Sequence, residues 1–223
     1  DDATLIAALL RDRSAAIRLV AFDAAARLTQ RDLVNRTLDD LPTRQDAVQA
    51  YQFAALGRHP REVGAALLQR LQPDATLASL NAWIDASGAL ANPDALRRVR
   101  ALHTHPAAEV RVHVARALRR LAEPETQPVL LRLLADTDWR VRAQAARAIG
   151  ALRVGAATDA LAVAVCDPAW WVRYRSALAL AQIGGEARAA LVAVTTADDA
   201  LARDMARLVS GLSSAAVLEM SEV

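Results

Sequence analysis

The chain has 223 residues, with 27 basic against 25 acidic and a formal charge of +2. Every basic residue is arginine, which excludes Schiff-base and other amine chemistry at lysine, and a single cysteine, Cys166, excludes an internal disulfide or a thiolate metal cluster. No run approaches the roughly 18 uninterrupted apolar residues that a bilayer-spanning helix needs.

The apolar load (54% of residues, only 4% aromatic) rests on alanine and leucine, which favour helices and let them stack closely. In chain order the helices come in pairs. The first pair covers roughly 3–10 and 14–28, and the second 32–41, closed by Pro42, and 44–57. Then come 60–71 with 74–91, 93–103 with 107–121, 127–135 with 138–152, 157–165 with 169–183, and 186–195 with 199–211. Pro60, Pro93, Pro106, Pro124 and Pro168 fall where helices should start, in the turn whose N–H groups are unpaired anyway. Asn92 and Asp167, each just before a proline, supply capping oxygens. Pro128 moves the start of its helix to near Thr126. The tail, SSAAVLEMSEV, suits a short last helix that covers the end of the stack, and no strand pattern is present.

The second helices are copies of one another. Val110, Val141 and Val172 are 31 residues apart, and Arg111, Arg142 and Arg173 follow them in the same register. Ile17 with Arg18, and Val48, extend the register backwards. The copy at 79–88 is degraded by Trp83 and Asp85, and beyond Val172 the period shortens by one, so that Gly211 answers Gly150. About seven repeats result, near 1–28, 31–57, 60–91, 93–121, 124–152, 156–183 and 186–211, with a C-terminal tail at 212–223. A fixed period of this length marks a helical repeat array in which each unit needs its neighbours for stability. The best copy is Asp136, Val141, Arg142, Ala145, Ala146, Ala148, Ile149 and Gly150. Its D-x-x-x-x-V-R-x-x-A-A-x-A-L-G pattern resembles the HEAT repeat, in the short bacterial, phycobilisome-lyase-like form. The resemblance implies an all-α fold, a right-handed α-solenoid of about seven two-helix repeats forming one domain over 1–223. It also implies an Asp–Arg ladder joining the turns. Asp12, Asp74, Asp136 and Asp167 hold the Asp slot and Thr43 and His105 replace it, while Gln49 and Leu80 replace Arg, so the ladder is expected to break in the N-terminal half.

The chemistry is sparse. His103 and His105 lie two apart in a turn without a carboxylate or thiol at a companion spacing, so no metal site and no cofactor is expected. Two families of HEAT-like enzymes supply tests. Deoxyhypusine hydroxylase holds iron with His-Glu dipeptides, and this chain has none. HEAT-like DNA glycosylases use Trp and Asp in a concave cleft, and Trp83 and Asp85 in the deviant third repeat, with Trp139, Trp170 and Trp171, are residues of that kind. Phycobilin lyases share the repeat style, but no catalytic residue of theirs can be matched here. Catalytic residues are therefore not assigned, and Cys166 reads as a small buried filler.

The surface carries more information. Between Arg97 and Arg188 fifteen arginines face eight acids, a segment of formal charge +7 in a chain of +2. With Val141, Ala145, Ala148 and Ile149 facing the core, Arg140, Ala143, Gln144, Arg147 and Ala151 should face out. The same slots hold His113, Arg116 and Arg120 one repeat earlier and Trp171, Tyr174 and Arg175 one repeat later. Such side chains pair with carboxylates or stack on planar groups. Trp139 and Trp170 should plug the turns between paired helices. The expected function is a non-enzymatic scaffold or protein-binding module that holds an acidic or amphipathic protein segment. Its site is the second-helix face of repeats four to six, at His113, Arg116, Arg120, Arg140, Gln144, Arg147, Trp171, Tyr174 and Arg175. A nucleic-acid binder or base-excision enzyme using the same Arg and Trp groups is the alternative. The chain begins at Asp1, so a module of a membrane-associated assembly anchored by a preceding segment is a third, and a cytoplasmic location is the default expectation.

Overall fold

The structure is a computed structural model that describes residues 2–14, 16–18, 20–21, 24, 34–35, 38–39, 41, 56–57 and 60–222. Most of the second predicted repeat, with Thr43, Val48, Gln49 and Ala54, lies outside the described residues, as does His59. Among the described residues all regular structure is helical. The α-helices are α1 (Asp2–Leu9), α2 (Pro60–Arg70), α3 (Leu77–Leu90), α4 (Pro93–Ala101), α5 (Ala108–Leu118) and α6 (Thr126–Leu134). They continue with α7 (Trp139–Ala151), α8 (Thr158–Ala164), α9 (Trp170–Ile183), α10 (Gly185–Val194), α11 (Ala200–Ser210) and α12 (Ser214–Glu222). The fold is an α-solenoid of paired helices, and it divides into two compact units, Asp1–Val99 and Arg100–Val223.

In the second unit, α5, α7, α9 and α11 stack as one layer and α6, α8 and α10 as the other. Val110, Val141 and Val172 are fully buried between the layers, as are Ala145, Ile149, Leu130 and Leu161. Their 31-residue register is therefore the register of the core. The closest approach is at Gly150 of α7, where an added Cβ would lie 2.9 Å from the Cα of Ala179 in α9 and would also meet the Gln182 amide. Glycine is what lets these two helices come together.

The turns are held by a ladder whose chemistry explains the Asp and Arg slots. Arg142 donates from Nη1 to the Asp136 and Thr137 carbonyls of its own turn (2.8 and 3.1 Å). Its Nε and Nη2 form a bidentate pair with Asp167 of the next repeat (2.7 and 2.9 Å). Arg111 repeats this with the His105 and Pro106 carbonyls and with Asp136 (2.6 and 2.8 Å). Each Asp meanwhile accepts the backbone N–H two residues on, Asp138 or Ala169. Such paired, charge-assisted bonds are the strong kind. Burial opposes ionisation of Asp136, but hydrogen bonds from Arg111 and the Asp138 N–H outweigh it and hold its pKa below the usual carboxylate value.

Three details differ from expectation. His105 imitates the missing Asp, its Nδ1 accepting the Ala107 N–H at 3.2 Å. Asp167 accepts the Ala169 N–H, and Ala169, which has no polar side chain to cap with, stands just before α9. Arg173 satisfies its own turn, the Asp167 and Pro168 carbonyls (2.8 and 3.1 Å), but its buried Nε has no partner among the described residues. The period shortens by one there, so Ala197 stands in the Asp slot.

The first unit keeps the motif at Arg18, which donates to the Asp12 and Arg13 carbonyls (2.7 and 2.8 Å). With Leu80 in the Arg slot, the third turn is satisfied by Arg98 of α4, which donates to the Leu71 carbonyl and to Gln72 (3.0 and 2.9 Å). Trp83, the residue that spoils the third copy, is half-buried, and its Nε1 donates to the Leu38 carbonyl at 2.8 Å. Its role there is structural. Asn92 caps α4 as expected, accepting from Ala95 N at 3.0 Å.

Candidate functional site

The site is a matter of what the second helices present on the face turned away from their partners. Three outer slots run along α5, α7 and α9. One holds Glu109, Arg140 and Trp171, one holds His113, Gln144 and Arg175, and one holds Arg116, Arg147 and Leu178. In α5 the slots are half-buried at His113 and Arg116, with Arg120 exposed just beyond the helix. Arg116 Nη2 donates to His113 Nδ1 at 2.9 Å, which fixes that ring nitrogen as the acceptor. In α7, exposed Arg140 is paired with Asp138 (2.7 and 3.1 Å), while Gln144 and Arg147 are half-buried. The Arg140 hydrogen bonds lower the pKa of Asp138 to about 2.

In α9 the expectation fails. Tyr174 and Arg175, read as pointing away from the stack, are each 9% exposed, and Leu178 is 2% exposed. Every residue from Val172 to Leu180 is buried. At Arg175 the cause is the tail. Instead of closing the end of the array, α12 folds back and packs along α9. It is capped at its start by Ser213, whose Oγ accepts the Ala216 N–H at 3.2 Å. At its end Arg147 Nε donates to the Ser221 carbonyl (2.9 Å) and Arg175 Nη1 to the Met220 carbonyl (3.2 Å). The last carbonyls of a helix have no N–H of their own and carry the negative end of its dipole, so cations are favoured there. Desolvation lowers the Arg175 pKa, but the group keeps its ring contact with Tyr174, 5.9 Å from the centroid. Val217 and Ser221 of α12 are buried, while Leu218 and Met220 are exposed.

Ala143 is a second correction. It is buried at 6% exposure, because α7 is flanked by α5 and α9 on both sides and a helix inside a layer hides more than one stripe. The tryptophans are a third. Trp139 and Trp170, read as turn plugs, are 43% and 46% exposed, whereas Trp171, expected to face out, does so at 48%. Trp170 stacks on Tyr174 (5.0 Å between centroids, 17° between planes) and meets Trp171 edge-on at 4.8 Å. The first turn of α9 thus bears an aromatic cluster that the repeat register did not reveal. Cys166, expected to be buried, is exposed, and partial desolvation raises its thiol pKa.

Most of the basic segment is engaged within the chain. Arg97 pairs with Asp94, Arg100 with Glu123, and Arg111 and Arg142 with the ladder aspartates. Arg173 and Arg188 donate to carbonyls, as do Arg147 and Arg175. The net charge of the segment therefore overstates what it offers a ligand. Among the described residues there is no group of three His, Cys, Asp or Glu placed to hold a metal ion, and no helix long and apolar enough to cross a membrane. His103, half of the HTH pair, donates from Nδ1 to the Arg100 carbonyl at 3.0 Å.

Family models match where the register is cleanest. The HEAT repeats model covers residues 128–210 and the PBS lyase HEAT-like repeat model covers 110–136. This stretch of the chain is an array of HEAT repeats. No curated protein of similar sequence is found. Among solved structures, the complex of CpcE and CpcF of phycocyanin lyase from Nostoc sp. PCC7120 is similar at 20% identity and a TM-score of 0.53. The match covers 79% of this chain and 74% of that one. An engineered protein is similar at 18% identity and a TM-score of 0.51, over 99% of this chain and 98% of its own. At these identities the likeness shows the α-solenoid fold alone and leaves the ligand to be argued from the site.

The residues missed by periodicity are Leu178, Val217 and Ser221. A signal for the first was present. The slot that is Arg116 and Arg147 in two repeats becomes leucine in the third, which is unexpected of a solvated face and points to a cover.

Proposed function

We propose that this HEAT-repeat protein is a non-enzymatic scaffold that binds protein, holding an acidic or amphipathic segment on the second-helix face of repeats four to six. The observation that carries this is the treatment of α12. Arg147 and Arg175, two of the residues expected to meet a partner, donate to the terminal carbonyls of a short acidic helix. A surface that holds one helix in this way has the donors and the apolar floor to hold another. The structural neighbour that is a complex of two lyase subunits is consistent with protein partnership. His113, Arg116, Arg120, Arg140, Gln144 and Trp171 extend the same face beyond the seat of α12. Arg120 is exposed on this face, and Trp170 and Trp171 add half-exposed aromatic surface.

The test is affinity capture with the full chain and with an Arg116→Glu, Arg120→Glu, Arg140→Glu variant. The expected result is loss of the partner from a variant whose helical circular dichroism is unchanged. A folded variant that retains every partner contradicts the assignment. The exposed Trp170–Trp171 pair favours one second reading, stacking on nucleic-acid bases. Affinity for DNA that falls steeply with salt and ignores the competing acidic peptide would select it.

A further inference from the structure

We propose that the seat of α12 is a receptor for a helix of another protein with α12's own chemistry, and that α12 is the resident competitor that keeps it closed. The inference rests on the scaffold reading above and deepens it by naming the ligand. The seat is a departure from the repeat. In repeats four and five the two outer slots are polar, His113 with Arg116 and Gln144 with Arg147. In repeat six they become Arg175 and Leu178. At the junction of α7 and α9 two guanidinium groups, from Arg147 and Arg175, reach the end of α12, and Leu178 on the same face of α9 is buried. That combination fits the end of a helix, with cations on its bare carbonyls and an apolar floor under its last turns.

The occupant is held lightly compared with the array beside it. Val217 and Ser221, one turn apart, are buried in α12, whereas Leu218 and Met220 remain exposed. By contrast α9 buries every residue from Val172 to Leu180. The bonds from Arg147 and Arg175 to the Ser221 and Met220 carbonyls are ones that any helix could accept. The buried stripe and charge add selection by side chain. An apolar β-branched residue must precede a small one by four positions, and the last turn must carry no Lys or Arg, because Arg147 and Arg175 already occupy that place. α12 obeys each rule, with no basic residue in its last turn and Glu219 exposed. The partner specified is an acidic amphipathic helix that ends at this seat. Tethered through the short Gly211–Ser213 connection, α12 competes at an effective concentration on the order of millimolar, so an external helix binds well only when α12 is released.

The probe is a fluorescent peptide of residues 213–223, titrated up to millimolar by anisotropy against the full chain and its Val217→Asp variant. The variant should bind the peptide at least about tenfold more tightly than wild type. Adding Arg147→Ala and Arg175→Ala should return binding to the wild-type level, and a peptide carrying the same Val217→Asp change should not bind. Hydrogen exchange on the variant should show loss of protection over 214–222 with that of 170–183 retained. Equal binding by wild type and variant, or binding indifferent to the two arginines, overturns the proposal. So does a variant in which 170–183 also loses protection, since α12 would then be part of the core. Wild-type dimers formed by exchange of α12, seen by light scattering, would make a second copy the occupant and overturn it as well. Capture that persists in wild type through Arg116, Arg120 and Arg140 while the variant gains no peptide binding would defeat this inference and leave the scaffold function standing.

Discussion

The helices α7 and α9 are one element written twice, 31 residues apart, and they meet solvent in opposite ways. Both bury the same valine, Val141 and Val172, and both send the next residue, Arg142 and Arg173, into their own turn. Yet α7 leaves Arg140 exposed and Arg147 half-buried, while α9 is buried from Val172 to Leu180. The difference lies in the outer slots. Core positions set the fold and repeat with it, whereas outer positions are free of that constraint and record what each repeat touches. A change there from arginine to leucine is a record of contact.

The largest effect should come from the ladder that α7 completes and α9 does not. Asp167→Asn removes the anion from the bidentate pair with Arg142. A half-buried guanidinium left with a neutral partner should lose about 2–3 kcal/mol in urea denaturation. The equivalent change at Ala197 cannot remove anything, and the reverse substitution is the sharper experiment described below.

Next is the contact between the two helices. Gly150→Ala gains helix propensity of about 0.5–1 kcal/mol, but its methyl meets the Ala179 backbone at 2.9 Å. A net loss of about 1–2 kcal/mol is expected, because backbone cannot step aside as a flexible side chain can. A stabilised variant would mean that the two helices stand further apart.

A smaller effect with the opposite sign is expected at the orphan. Ala197→Asp supplies an acceptor for the buried Nε of Arg173 and completes the ladder, with a gain of about 0.5–1.5 kcal/mol. Thermal unfolding reads it, and a loss would show that the shortened period has moved the slot out of reach.

The smallest effect is in acid. Asp136 and Asp138 both have folded pKa values below the ordinary 3.8, Asp138 at about 2. Their contribution is therefore fully present above the unfolded value and is lost as pH falls from about 5 towards 2. Wild-type stability should decline over that window, and an Asp136→Asn variant, less stable at neutral pH, should decline less steeply. Parallel slopes would show that Asp136 gains nothing from Arg111.

The fold was legible in the sequence because a repeat array states its core again in each repeat. Val110, Val141 and Val172 fix the register, the prolines mark the turns, and α7, predicted at 138–152, is observed at Trp139–Ala151. The ladder was legible for the same reason at Arg111 and Arg142, with Asp136 and Asp167 as partners and His105 in an Asp slot. The tail was not. Periodicity is local information, and the docking of α12 on α9 joins residues some 45 positions apart, such as Arg175 and Met220, that share no repeat slot. Exposure of the tryptophans escaped for a related reason. Trp139 and Trp170 sit at the first position of their helices, where 3.6-residue periodicity has not yet begun to discriminate inside from outside.

The contrast between the two helices reduces to Leu178, and Leu178→Arg, which restores the residue of repeats four and five, tests it most directly. Hydrogen exchange followed by mass spectrometry on the full chain should show 214–222 exchanging as an open segment while 139–151 and 170–183 keep their protection. If 214–222 remains as protected as in wild type, the outer slots of α9 do not hold the tail, and the face they define is not a seat for a helix.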